Sequence, residues 1–217
     1  DKSVRFTGST ISTLKPRLIN HTIPSAGIYI IQRCLRTQNL DKLNDNDFCP
    51  EWTSYFNSIG LLATYSNLTS LCTDILTFFH KALSIPKELV IVRADSQDDD
   101  LLNAMTASGV NPQLQLDAMP SAYYRHTFGI PGVTGRNVNI AFVNSTGRIR
   151  DIGNIIVIES SHAKFGVEAA FGIETIVSRY LNLPTSIHAA AISDIFYPSN
   201  TIMVKIYDCL MASLAIV

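Results

Sequence analysis

Arg33-Cys34-Leu35-Arg36-Thr37-Gln38-Asn39-Leu40 decides the reading of this chain. An apolar run, Ile28 to Ile31, leads straight into two arginines and then into a polar loop. That order suits the gripping of an anion at the end of a strand, where a planar guanidinium can meet two oxygens at once. Its counterpart lies far downstream, at Phe171-Gly172-Ile173-Glu174-Thr175. That stretch falls in a pattern read as a helix over 168–181.

Working outward, residues 28–36 read as a strand, 37–50 as a polar loop carrying Asp41, Asp45 and Asp47, and 52–63 as a second, antiparallel strand. Leu68, Leu71, Ile75, Phe78 and Phe79 have helical spacing, which predicts a helix over 68–83, closed by Pro86. A short strand follows at 88–93 and a helix at 98–108, with acidic residues in its first turn facing the positive end of the helix dipole. Residues 129–135, rich in glycine, read as a loop. Two strands, 137–144 and 152–160, are joined through Ser145-Thr146-Gly147. Residues 1–27 read as a mixed stretch in which Pro16, Pro24 and Gly27 punctuate loops. Residues 202–217 read as an apolar helix that packs on the core or lies in a subunit interface. Antiparallel strands mixed with helices predict an α+β fold in a single domain over 1–217.

A hydrophobic fraction of 47% against 16% charged residues describes a globular chain with an ample core, not a disordered one. The formal net charge of -1 excludes a broad basic face, so non-specific nucleic-acid binding is not the expected activity. Cys34, Cys49, Cys72 and Cys209 form no C-x-x-C pair and have no histidine at zinc spacing. They read as thiols in a reducing cytosol, and a cytoplasmic location is expected. The chain opens without a signal-peptide pattern and has no apolar run of membrane-spanning length, so no membrane partner is expected. The N-x-S/T triplets at Asn20, Asn67 and Asn144 are then chance matches.

The colinear set resembles the catalytic core of class II aminoacyl-tRNA synthetases, most like the alanyl enzymes. Arg33-Cys34-Leu35-Arg36, the polar loop and Trp52-Thr53-Ser54-Tyr55-Phe56-Asn57-Ser58-Ile59-Gly60 look like motif 2. Pro86-Lys87-Glu88-Leu89, the glycine-rich 129–135 and Asp151-Ile152-Gly153-Asn154-Ile155-Ile156-Val157 follow in the family's order. Glu168-Ala169-Ala170-Phe171-Gly172-Ile173-Glu174-Thr175 looks like motif 3. The resemblance spans 28–183. It implies a six- or seven-stranded antiparallel sheet flanked by helices and binding bent ATP. It also implies magnesium, a small amino acid as substrate, and a homodimer. The acyl group would pass to tRNA, a carrier protein or a small acceptor.

The implied reaction brings two anions together in line, so a cation has to neutralise the phosphate and orient the carboxylate. Arg36 matches the motif 2 arginine and takes that role; outside this context it reads as a strand-end arginine in a surface ion pair. Arg33 points to the other face of a regular strand. The resemblance assigns Asn57, Gly172 and Thr175 to ATP, and Asn154, Glu168 and His126 to the amino acid. Glu168 is one methylene longer than the family's aspartate and would shrink the pocket, so the preferred amino acid need not be alanine. Read without the family, Glu168 is a first-turn helix charge, Asn154 a strand-edge turn residue and His126 a surface or core histidine.

The chain departs from the family where Thr175 replaces the motif 3 arginine, and where Asn57 and Asn139 stand at acidic positions. These losses weaken magnesium and phosphate contacts. Arg179, one turn beyond Thr175, either substitutes or is an exposed helix charge. The alternative function is a catalytically inactive binding, regulatory or dimerising subunit.

Overall fold

The structure, a computed structural model, describes residues 6–37, 39–109, 112–161, 163–190 and 197–216. In chain order the helices are α1 (Thr10–Ile19), α2 (Leu68–Thr77), α3 (Asp99–Ala107), α4 (Ile173–Tyr180) and α5 (Thr201–Leu214). The strands are β1 (Ile28–Leu35), β2 (Tyr55–Thr64), β3 (Val90–Ala94), β4 (Gln113–Leu116), β5 (Arg125–Thr127), β6 (Val133–Val143), β7 (Ile149–Ser160) and β8 (Lys164–Gly172). They form one sheet in the order β1-β2-β8-β7-β6-β3-β4, with β5 added alongside β6. Every pairing is antiparallel except β3 with β4, which is parallel. The fold is α+β, an antiparallel-dominated sheet flanked by helices.

Period-two alternation sends side chains to two different cores. On one face, Leu71, Ile75 and Phe79 from the α2 region and Leu101 and Met105 from α3 bury against Val92, Ile140, Ile155, Val157 and Phe171. Phe79 meets Phe142 and Phe171 edge-on, at centroid distances of 5.6 and 5.5 Å. Each such fully buried side chain contributes roughly 1.5–3 kcal/mol. On the opposite face α1 lays Ile11, Leu14 and Leu18 on Leu62, Ile156 and Ile158, with Phe128 alongside. A Cβ on Gly60 would stand 2.3 Å from the Thr10 side chain, so only glycine lets α1 sit this close. A third cluster docks α5, through Val204 and Tyr207, against Ile187 and Ala190.

Several expectations are corrected. The sheet has eight strands, with one parallel pair, rather than six or seven antiparallel ones. Residues 168–172 belong to β8 and the helix starts only at Ile173, so Glu168 is a strand residue and not a first-turn helix charge. β8 pairs on both sides and is buried on both faces, so its sequence loses the alternation that marks a strand. Within the stretch 1–27, read as mixed with no helix assigned, residues 10–19 form α1 with Pro16 inside it. The loop expected over 129–135 ends early because β6 begins at Val133. The helix expected over 68–83 is α-helical to Thr77 and then widens into a π turn over Phe78–Ala82. The strand expected from residue 88 starts at Val90, after a short 3-10 turn, Lys87–Leu89. α5 ends at Leu214, inside the range expected for it.

Candidate active site

The face that α1 covers carries a polar row across the sheet. Gly60, Ala170, Asn154 and Asn139 are successive cross-strand partners on β2, β8, β7 and β6. Glycine and alanine at the β2 end of that row leave a depression. It opens into a cleft of about 860 Å³ between α1 and the sheet, lined by Ser9, Lys15, Arg36, His126, Asn154, Glu168 and Ala170 among others. A second cleft, of about 360 Å³, shares Ser9, Arg36, Asn154 and Ala170 and continues to Trp52, Phe56, Gly172 and Thr175. Shared walls make the two a single groove, with Arg36 and Asn154 at the junction.

Six of the seven residues singled out from the sequence line this groove. Arg36 and Asn154 stand where the clefts meet, Gly172 and Thr175 in the smaller one, and His126 and Glu168 in the larger. Asn57 lies elsewhere. Its backbone N–H donates to Glu174 at 3.0 and 3.2 Å, and its Nδ2 donates to Glu174 Oε1 at 2.7 Å. Glu174, nearly buried in the first turn of α4, is held there as a brace between β2 and α4. Asn57 is thus bonded to Glu174 and lines neither cleft.

Arg36 is exposed, and its guanidinium sits over the Phe56 ring, 5.5 Å from the centroid. Among the described residues no carboxylate pairs with it, so the expected surface ion pair is absent. Its backbone N–H donates to Ser54 O at 2.7 Å, closing the base of the loop between β1 and β2. Ser54 in turn donates from its N–H and its hydroxyl to the buried Asp208 carboxylate of α5, at 2.6 and 2.5 Å. The arginine is thereby set on an anchored backbone, with its charged end exposed over Phe56.

Glu168 is the opposite case. It is only 2% exposed, and its Oε2 has no hydrogen-bond partner among the described residues. Burial alone pushes its pKa up to about 8. A buried, unsatisfied carboxyl on a groove wall is costly to maintain and is poised to receive a donor or a cation. Asn154 lies inside β7, not at a strand edge, one cross-strand step from Ala170. His126 is half-buried against Phe128, with ring centroids 4.9 Å apart. Burial and then the Arg36 charge hold its pKa below the ordinary value, so the ring is neutral at pH 7. Asn139, at an expected acidic position, instead accepts 2.9 Å from Asn137 Nδ2 in a buried amide pair.

Sequence reasoning missed Ser9 and Lys15, because it assigned no helix within the mixed stretch 1–27. It also missed Phe56, whose place beside Arg36 was signalled by the aromatic strand that contains it. Among the described residues no group of three His, Cys, Asp or Glu side chains could hold a metal. The residues present do not form a magnesium cage, and no step below runs through the metal. No described helix is long and apolar enough to cross a membrane.

No protein-family model and no curated protein matches the sequence. Among solved structures, the chain is similar to apo histidyl-tRNA synthetase of S. aureus, with a TM-score of 0.45 and 12% identity over 79% of this chain and 48% of that one. A threonyl-tRNA synthetase RNA-binding domain from Cryptosporidium parvum gives 0.45 and 12%, over 76% of this chain and 46% of that one. PylSc, a pyrrolysyl tRNA synthetase of Desulfitobacterium hafniense, gives 0.44 and 12%, over 83% and 50%. The chain spans about half the length of these structures.

Proposed function

We propose that the chain activates a small amino acid with ATP, in the manner of the class II synthetase core, and of the alanyl type in particular, that its motifs resemble. The observation that carries this reading is the pairing of opposites along one groove: an exposed cation, Arg36, and a buried carboxyl, Glu168, whose Oε2 has no partner among the described residues. An α-amino acid presents the complementary pair, a carboxylate and an ammonium. Glu168 takes the ammonium, which offsets its desolvation. Asn154 supplies an amide beside it, and His126 closes the wall.

Arg36 then faces the substrate carboxylate at the junction with the smaller cleft, where ATP lies along Phe56, Gly172 and Thr175. The carboxylate oxygen attacks the α-phosphorus. The bond from that phosphorus to the bridging oxygen breaks, and pyrophosphate leaves with the electron pair. Arg36 offsets charge on the pentacoordinate centre. The acceptor, whether tRNA, a carrier protein or a small nucleophile, then takes the acyl group and releases AMP. A homodimer in the cytoplasm is the setting that goes with this reading.

Thr175 and the structural use of Asn57 favour a second reading, in which the groove binds the amino acid without activating it. Calorimetric titration of the common small amino acids tests what both readings share. Binding that is lost in Glu168→Gln and weakened in Arg36→Ala is the expected result. Binding indifferent to both substitutions overturns the assignment of the groove.

A further inference from the structure

We propose that a separate arginine cleft, beside the groove, binds a di- or triphosphate anion, and that Glu51 occupies it as an intramolecular stand-in. The cleft, about 530 Å³, is lined by Arg93, Arg148, Arg150 and Arg179 against only two carboxylates, Glu51 and Asp151. Arg93 is matched within the protein, pairing with Asp151 at 3.2 Å. The remaining three arginines converge on the single Glu51 carboxylate: Arg150 at 3.2 Å, Arg179 at 3.3 Å, and Arg148 in close contact. One carboxylate cannot neutralise three guanidinium groups, nor can its two oxygens satisfy their fifteen N–H donors.

The shortfall is visible atom by atom. Arg179, expected from the sequence to be an exposed helix charge, has a side chain only 8% exposed, and Arg150 only 10%. Nε and Nη1 of Arg179 and Nε of Arg150 have no hydrogen-bond partner among the described residues. The other Arg150 contacts, to the carbonyls of Leu183 and Pro184, are long, at 3.5 Å. Burial holds the Arg150 pKa below its ordinary value, and Glu51 offsets only part of that. Buried, unpaired guanidinium donors are expensive, and a pyrophosphate-class anion is dense in acceptors with matching fork geometry. Glu51, 36% exposed, lies in the loop between β1 and β2; its carbonyl is held by the N–H and hydroxyl of Ser186 at 3.1 and 3.0 Å and by Arg179 Nη2 at 3.3 Å, so an anion would displace only its side chain.

Position links the cleft to the groove. Trp52 lines both. β7 runs from Arg150 in the cleft to Gly153 and Asn154 in the groove, and α4 runs from Thr175 in the groove to Arg179 in the cleft. Four residues of helix separate those two by about 6 Å. A nucleotide bound by the groove thus has room to place its terminal phosphates among these arginines. That link rests on the adenylate reading; the anion site does not.

The test is titration of the full chain with inorganic pyrophosphate, and separately with ATP and AMP. Pyrophosphate binding is expected to weaken about tenfold or more in Arg148→Gln and Arg150→Gln, and to tighten by a similar factor in Glu51→Gln. Arg148 is 61% exposed, so its replacement leaves the fold intact and keeps the test decisive even where Arg150→Gln melts. No pyrophosphate binding, or binding unchanged in Arg148→Gln and Glu51→Gln, overturns the proposal. ATP weakened by Arg148→Gln with AMP unaffected assigns the site to the nucleotide's tail. The same effect on pyrophosphate alone assigns it to the free anion and supports the site without the link. Pyrophosphate binding in a protein without amino-acid activation defeats only the activity reading; activation without any dependence on Arg148 defeats only this one.

Discussion

Replacing Glu168 with glutamine should make the free protein more stable, and increasingly so as the pH rises. The folded-state pKa of Glu168, about 8, lies above its ordinary value of 4.5. Between those values the folded protein keeps a proton that the unfolded chain releases. The stability tied to the protonated form is therefore complete below pH 4.5 and is lost as the pH rises through 8. At about 1.4 kcal/mol per unit, wild type loses less than about 1 kcal/mol at pH 5, about 3 at pH 7 and about 4 at pH 8. Glutamine keeps the shape and carries no charge, so Glu168→Gln recovers these amounts. For a chain of this size that is a melting temperature raised by roughly 10 °C at pH 8 and nearly unchanged at pH 5. Thermal melts of both proteins over pH 5–8 measure it. A variant that is destabilised, or whose difference from wild type does not grow with pH, would refute the reasoning, because Glu168 would then have a partner that stabilises its charge.

An ammonium ligand in the groove favours ionised Glu168, so amino-acid binding at pH 7 should release a proton; calorimetry in buffers of different ionisation enthalpy reads this, and equal heats contradict it. Arg36→Ala should remove activation and leave stability within about 0.5 kcal/mol, since its side chain is exposed and has no carboxylate partner among the described residues; urea titration together with the activity assay separates the two effects. Asn57→Asp turns a donor into an acceptor against Glu174 and should cost about 3 kcal/mol in urea unfolding. Asp208→Ala strips two short hydrogen bonds from Ser54 and should cost roughly 2–4 kcal/mol. Because Ser54 also receives the Arg36 N–H, the same substitution should weaken activity, whereas an unaltered rate would disconnect α5 from the groove.

The parts of this fold legible in the sequence are those whose signals are local. The β1–loop–β2 hairpin announces itself by an apolar run, a polar loop and an aromatic strand, and the register Ile28↔Leu62 to Leu35↔Tyr55 follows. Ser145-Thr146-Gly147 marks the β6–β7 hairpin because Gly147 takes φ +79°, which few other residues adopt. α1 was hidden by Pro16, although Ile11, Leu14 and Leu18 carry the helical spacing. β8 was hidden by its small apolar residues, which fill a doubly buried strand and equally suit a helix. Of the groove, Arg36, Asn154, Glu168 and Thr175 were reachable through motif order. The burial of Glu168 was not, since it depends on strands on both sides, with Leu62 and Ile156 as its neighbours. The arginine cleft was invisible for the same reason: Arg179 meets Glu51 across 128 positions of sequence.

The most direct test of the central claim is amino-acid-dependent exchange of labelled pyrophosphate into ATP, screened over the common amino acids in the presence of magnesium. Exchange with one small amino acid, abolished in Arg36→Ala, is the expected result. A folded protein that binds an amino acid through Glu168 yet supports no exchange with any of them would contradict it and leave a binding protein in its place.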